Sequence, residues 1–376
     1  MTLRIAVAAA GSHIFQAAHI PAIEATGTEV VGVFDVDAAR AAVAAERFGC
    51  PVVPDLPSLL AVPADAVVVC APHPLHAGII RESLRAGRAV LVEKPLAPRL
   101  TEVDEIIAAS AATRLPVGVI HQHRLRDDVV AARRMLRDGA LGRMHRAVLV
   151  ASYPKRSVYY TDTPWRGTWA GEGGGVLLNQ GLHDIDLLVH LLGLPARVTG
   201  SLRTAVHPIE AEDAAELLLE WRDGMTASVH VTSAASLDGN RLELHGSRGS
   251  LRLSARGLER RAAAEDFDAF AAAPGGHFDA FPVEEWRRTV PPGRGDHAEV
   301  YADFAEALAQ GRAPRTDAQA ARGAVEVIAA AALASHAREW VALPVDPARA
   351  DALLDARIAR ATADRREETP VPGGAR

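Results

Sequence analysis

Between residues 3 and 121 short β-branched runs (3–9, 29–34, 66–71, 89–92 and 116–121) alternate with alanine-rich stretches of helical length (19–25, 38–48, 76–86 and 102–112). Parallel strands need a crossover to return the chain, and runs apolar on both faces need cover on both sides. This alternation therefore predicts βαβ units in a doubly wound parallel sheet. Gly27, Gly49 and Gly87 close helical stretches as C-cap glycines. The expected first domain, residues 1–122, is a Rossmann fold, and its ligands belong at the carboxyl ends of the strands.

Beyond Gly142 the period changes. Strands are expected over 143–153, 197–206, 214–221 and 225–232, with Asp223-Gly224 as a hairpin turn, so the second half carries a mostly antiparallel open sheet. Helical patterns cover 176–192, 297–310 and 317–339, the last able to return onto the first domain. The fold class is α/β, with a second domain over 123–355 and a polar tail over 356–376 that frays. A chain of 376 residues suits two cores.

A formal charge of -6 without a basic patch argues against nucleic acid or an anionic membrane as partner. No run approaches the roughly 18 apolar residues of a spanning helix. Cys50 and Cys70 lie beside apolar runs and form no disulfide framework. The first strand starts at Leu3, with no leader before it, and the expected location is the cytoplasm.

After the first run the chain reads Ala8-Ala9-Ala10-Gly11-Ser12-His13-Ile14, one glycine where a dinucleotide turn usually has three. Ala9, Gly11, Ser12, His13 and Ile14 are the candidate pyrophosphate contacts, against the alternative of a turn that binds nothing. Asp35 ends the second run, where an acid accepts from the ribose hydroxyls and repels a 2′-phosphate, favouring NAD over NADP. The lesser alternative is a cap for the following helix, and both can hold together, since Asp37 is the better-placed cap. Ala71, Pro72 and His76 follow the third run, and Glu93 and Lys94 the fourth. All should edge the nicotinamide.

In the second half a glycine run, 173–175, opens a helical pattern with Asn179 and His183 four residues apart on one face. Removing hydride from an alcohol carbon needs a base for the hydroxyl proton, and a neutral imidazole suits that task. A metal is not expected: His183, Asp186 and His190, or His121 and His123, lack a second ligand set. The loop 153–169 is dense in aromatics. It offers Tyr153, Trp165 and Arg166 to a sugar or cofactor edge, or else to a domain interface.

Glu93-Lys94-Pro95, the Trp165-Arg166 pair, Gly173-Gly174-Gly175 with Asn179 and His183, and the Asp303-Phe304 helix ending near Gly311-Arg312 resemble, in order and spacing, the glucose-fructose oxidoreductase, inositol dehydrogenase and MocA family. The resemblance implies hydride transfer between NAD, less favourably NADP, and a secondary alcohol or ketone of a sugar, inositol or derivative. Its alternatives are a glycosidase or lyase using transient oxidation, and a nucleotide sensor without turnover. It implies that Lys94 orients the substrate hydroxyl and His183 acts as acid/base. Trp165 and Arg166 would stand by the cofactor, and Lys94, Arg124, Tyr153, Asn179 and His183 by the substrate. The open sheet implies a homodimer or homotetramer. Asn179 stands where many members carry Asp, which leaves proton transfer to His183, with Lys94 as its competitor.

Overall fold

A computed structural model describes residues 2–236 and 239–368. Its first sheet is five-stranded in the order β2-β1-β3-β4-β5, with β1 (Arg4–Ala8), β2 (Glu29–Phe34), β3 (Ala66–Val69), β4 (Ala89–Val92) and β5 (Val117–Val119). Every pairing in it is parallel. Strand periodicity sorts its side chains: Val67, Val69, Val90 and Val92 enter one apolar cluster, while Val68 and Leu91 enter the other. The chain leaves β1 for opposite sides at β2 and β3, so the topological switch point, and the crevice it opens, lies above β1.

The second sheet is nine-stranded, ordered β13-β12-β11-β10-β6-β9-β8-β7-β14. It comprises β6 (Met144–Ser152), β7 (Arg197–Arg203), β8 (Ala214–Glu220), β9 (Thr226–Thr232), β10 (Arg241–Gly246), β11 (Gly249–Ser254), β12 (Gly257–Ala262), β13 (Arg287–Val290) and β14 (Val341–Ala342). Only β6 and β9 run parallel. Alternate residues such as Leu149, Leu217, Leu219, Val229 and Leu244 are buried, whereas Glu216, Leu218 and Arg146 on the other register face outward. The β10–β13 meander goes beyond the expected strands. Its arginines and glutamates mask the alternation, and they pair across strands, as Arg252 does with Glu243.

Two late helices close the architecture. Helix His297–Gln310 packs on Ile20–Thr26 and places Val300, Tyr301 and Phe304 in the first domain's core. Helix Ala318–Ala337 packs on both β7 and Leu100–Thr113, bridging the domains as the sequence allowed.

The expected fraying tail is different from residue 356 onward, because helix Pro347–Glu368 runs through it. Asp346 accepts from the Ala348 amide at its start, and Asp351 accepts from the Leu100 and Thr101 amides, capping a helix that has no side-chain cap of its own. Residues 369–376 lie outside the described residues. Among the described residues, no helix is long and apolar enough to cross a membrane, and Cys50 and Cys70 are free thiols.

Candidate active site

The first turn compensates for its missing glycines with backbone geometry. Ala9 adopts φ 65°, the left-handed region that glycine normally fills, and the Ala9 and Ala10 amides both donate to Phe34 O. The Gly11 amide donates to Asp35 Oδ2 at 2.8 Å, and a Cβ on Gly11 would lie 2.5 Å from the Arg40 Cβ. This is the one glycine the turn cannot replace. The helix beyond begins on exposed His13 and Ile14 and passes through a π-helical turn, Phe15–His19. Such turns are frequent at functional sites. Asp35 also accepts from the Asp37 amide, whereas Asp37 caps helix Ala38–Phe48, so the two acids have separate tasks. A carboxylate one hydrogen bond from a helix-opening turn is the pair of groups a dinucleotide needs, and these residues fit one.

Two expected cofactor contacts have other occupations. His76 is fully buried, its ring nitrogens 2.8 Å from Pro95 O and Ala71 O, and burial lowers its pKa. Its ring joins the loops after β3 and β4. Glu93 turns inward, where its Oε1 accepts from both His19 Nε2 and His297 Nε2 at 2.9 Å, and Tyr301 Oη lies 2.8 Å from His19 Nδ1. Burial alone would raise the Glu93 pKa, yet these histidines hold it well below the usual carboxylate range. His19, Glu93 and His297 have a ligand set's convergence, but each meets a hydrogen-bond partner within the network.

Lys94 points the other way, across the cleft. Its Nζ donates to Asn179 O at 2.7 Å and Asn179 Oδ1 at 3.2 Å, at the carboxyl end of the turn Val176–Asn179. Burial lowers the Lys94 pKa, and the charges of Glu93 and Glu172 oppose the shift. The glycine run makes this meeting possible, since a Cβ on Gly175 would fall 1.9 Å from Glu212 O. The Glu212 carboxylate accepts from the Gly175 and Leu177 amides and fixes the turn's start.

The single helix expected over 176–192 is two pieces, Val176–Asn179 and Leu182–Leu192, separated where Gly181 packs on Val231. His183 lies in the first turn of the second piece, half-buried. Its ring meets His123 edge-on at 4.9 Å between centroids, and His121 at 6.2 Å. Burial, followed by the Lys94 charge, holds His183 well below the ordinary histidine range, so the ring is neutral at pH 7.

Arg124, expected at the substrate, is 3% exposed and grips Asp186 through two nitrogens. That pair also removes Asp186 from any metal set with His183 and His190. Tyr153 Oη donates to Asp184 at 2.5 Å and stands beside the cleft, half-buried. Trp165 packs edge-on to His73, and the Arg166 guanidinium lies 4.1 Å from the Tyr159 ring centroid. Ala71 is buried and Pro72 exposed at the cleft's rim.

Sequence reasoning passed over Glu172, whose carboxylate meets Asn179. The signal was an acid immediately before the glycine run, one among 47 acidic residues.

A doubly wound parallel sheet whose fourth strand leads to Lys94, in contact with Asn179 of the second half and near a histidine held below its ordinary range, fits a nicotinamide-dependent oxidoreductase. Family models agree: residues 3–121 match the oxidoreductase family with an NAD-binding Rossmann fold, and 129–252 the GFO/IDH/MocA C-terminal domain. The chain belongs to the glucose-fructose oxidoreductase, inositol dehydrogenase and MocA family. It is 33% identical to 1,5-anhydro-D-fructose reductase of Ensifer adhaerens over 62% of this chain and 70% of the relative. With inositol 2-dehydrogenase of Rhizobium meliloti it shares 26% identity over 67% and 75%. Its fold matches the WlbA dehydrogenase of Bordetella pertussis, solved with NADH and UDP-GlcNAcA, at TM-score 0.79 and 24% identity over 92% of this chain and 100% of that one.

Proposed function

We propose that the chain is an NAD-dependent dehydrogenase or reductase acting on a secondary alcohol or ketone of a sugar, inositol or sugar derivative. The observation that carries the reading is Lys94 reaching across the cleft to Asn179 within the field of a neutral His183. Bound NAD would supply the hydride acceptor, held by the first turn and by Asp35. Lys94 fixes the substrate oxygen and stabilises negative charge that develops there. His183 takes the hydroxyl proton in oxidation and returns it in reduction. Asn179 does not exchange a proton, and its oxygens hold the lysine head.

Relatives that act on an anhydro-sugar and an inositol support this substrate class. The free thiols suit the cytoplasm, and the outward face of the second sheet suits assembly into a homo-oligomer. The test is NADH absorbance on a panel of polyols, sugars and sugar acids. Formation of NADH with a free polyol or sugar is the expected result. Cleavage of a glycoside without net NADH would replace this reading with transient oxidation, and NAD binding without turnover on any panel member would make the chain a sensor.

A further inference from the structure

Glu172 ends the short helix Trp169–Glu172 and is 1% exposed. Its oxygens are held by neutral donors: Oε1 accepts from Asn179 Nδ2 at 2.5 Å and Oε2 from the Gly167 amide at 2.6 Å. Its backbone oxygen lies 3.0 Å from His73 Nδ1, which joins it to the loop after β3. An ionised carboxylate only accepts, so it selects one orientation of the Asn179 amide. With Nδ2 on Glu172, Oδ1 is turned toward Lys94 Nζ. The three side chains form one line from a buried acid, through an amide, to the amine.

We propose that Glu172 is a positioning residue for Lys94: through the Asn179 amide it fixes where the ammonium points, and it supplies the negative charge that an amide at 179 lacks. The proposal rests on the reading of Lys94 as the group that meets the substrate hydroxyl. Its geometry stands without that reading.

The pH dependence follows from the same contacts. Burial pushes the Glu172 carboxyl up to about 7, against the Gly167 amide, the charges of Arg166 and Lys94 and the Asn179 bond. The titratable groups facing it are Lys94 at the end of β4, Arg166, Tyr159 and Tyr160 on the aromatic loop, and His73 on the loop after β3. Once protonated, Glu172 becomes a donor toward Asn179, the amide turns over, and Lys94 loses Oδ1. Turnover then has an acidic limb near pH 7. That limb belongs to Glu172, because His183 titrates well below its ordinary range.

Lys94 and Lys155 are the chain's lysines, so isotope labelling of lysine gives two side-chain amine signals, assigned with Lys155→Arg. In Glu172→Gln we expect the Lys94 amine pKa to fall by about one unit, as removal of a nearby carboxylate dictates. Turnover should fall roughly tenfold with NAD affinity unchanged, and the limb near pH 7 should disappear. The exchange Glu172→Gln with Asn179→Asp keeps the hydrogen bond with its polarity reversed and moves the charge one side chain nearer the amine. It should restore the Lys94 pKa and bring turnover to within about threefold of native. An unmoved Lys94 amine in folded Glu172→Gln overturns the proposal, as does an exchange variant no better than the single one. If Glu172→Gln does not fold, the exchange variant decides: a native-like amine pKa with the limb near pH 7 gone supports the proposal, and a limb that persists overturns it. The amine titration uses no substrate, so hydride transfer can fail as a reading while the coupling stands.

Discussion

Along the first-turn wall of the cleft the groups assigned to the dinucleotide are mostly backbone. They are presented by alanines and by exposed His13 and Ile14, with Asp35 as the one positioned acid. Around Lys94, which reaches over from the end of β4, the relation is reversed: Lys94, Asn179, Glu172 and His183 act through side chains, and Glu172 is nearly as buried as the core. A wall that bound through amides would tolerate changes of side chain, and one glycine would then suffice where three are usual. A wall of buried polar side chains tolerates few, because each group that loses its partner carries the full cost of desolvation. Sequence drift should therefore collect on the first wall and chemical sensitivity on the second.

The strongest test of that contrast is removal of the chemistry. Lys94→Ala and His183→Ala should each lower kcat by roughly 10²–10⁴-fold while NAD affinity stays within a few-fold, since neither side chain belongs to the pyrophosphate turn. Stopped-flow NADH formation with parallel NAD titration separates the two effects. A Lys94→Ala enzyme that turned over normally would remove the amine from the mechanism.

Acid should come next, and it should act on the buried side chains and not on the backbone of the first turn. Burial lowers His73 to about 3 and His121 to about 4, and these rings are neutral in the fold while the unfolded chain protonates near 6.5. The unfolded state then binds more protons between pH 6.5 and about 4, so stability is lost as pH falls through that window. Glu172 and Asp184, raised by burial to about 7 and about 6, work in the opposite direction and blunt the loss. We expect the melting temperature to fall by on the order of 10 °C from pH 7 to pH 4.5. His121→Phe should flatten the curve, and a His121→Phe variant whose melting temperature falls as steeply as that of the native protein would show the His121 ring to be charged in the fold.

On the first wall the effects shrink. Asp35→Ser should weaken NAD by about tenfold, the worth of a lost acceptor, and narrow the gap to NADP by removing repulsion. Arg40 is exposed and paired with Asp37 at 3.2 Å, so it can be turned toward a 2′-phosphate, and Arg40→Ala should widen the gap again. Native protein that bound NADP more tightly than NAD would reverse the assignment of Asp35. Smallest of all, Ala9→Gly trades left-handed strain for chain entropy and should change stability by no more than about 1 kcal/mol in denaturant melts. A larger loss would mean that the methyl group packs in a way its φ does not reveal.

The doubly wound half was legible because a buried parallel strand leaves a continuous apolar run, and five such runs between helical stretches admit few other folds. Lys94, Asn179 and His183 were legible as neighbours of particular turns. Glu93, His76 and Arg124 misled because sequence gives a residue's chemistry and not its direction. A glutamate after a strand reads alike whether it faces a nicotinamide or, as here, His19 and His297. Glu172 was hidden for the complementary reason, its partner lying seven residues on through a turn whose path only the fold sets. The helix after Asp346 was masked by its arginines and acids, although Asp346-Pro347 is a sound start signal, a cap followed by proline at the first position.

The placement of helix His297–Gln310 has a consequence in time. Tyr301 and Phe304 sit in the same apolar cluster as Ile5, Phe15 and Ile23, His297 completes the shell of Glu93, and Thr316 O accepts from Val119 on the last strand of the first sheet. The domain that begins at the first residues thus draws its final core side chains and edge contacts from beyond residue 296. During synthesis at about 5–20 residues per second, a nascent chain that has finished β5 waits roughly 10–40 s for them. Until then the first sheet stands with an open flank, so the nucleotide-binding half, though synthesised before the second half, is among the last parts of the molecule to be sealed.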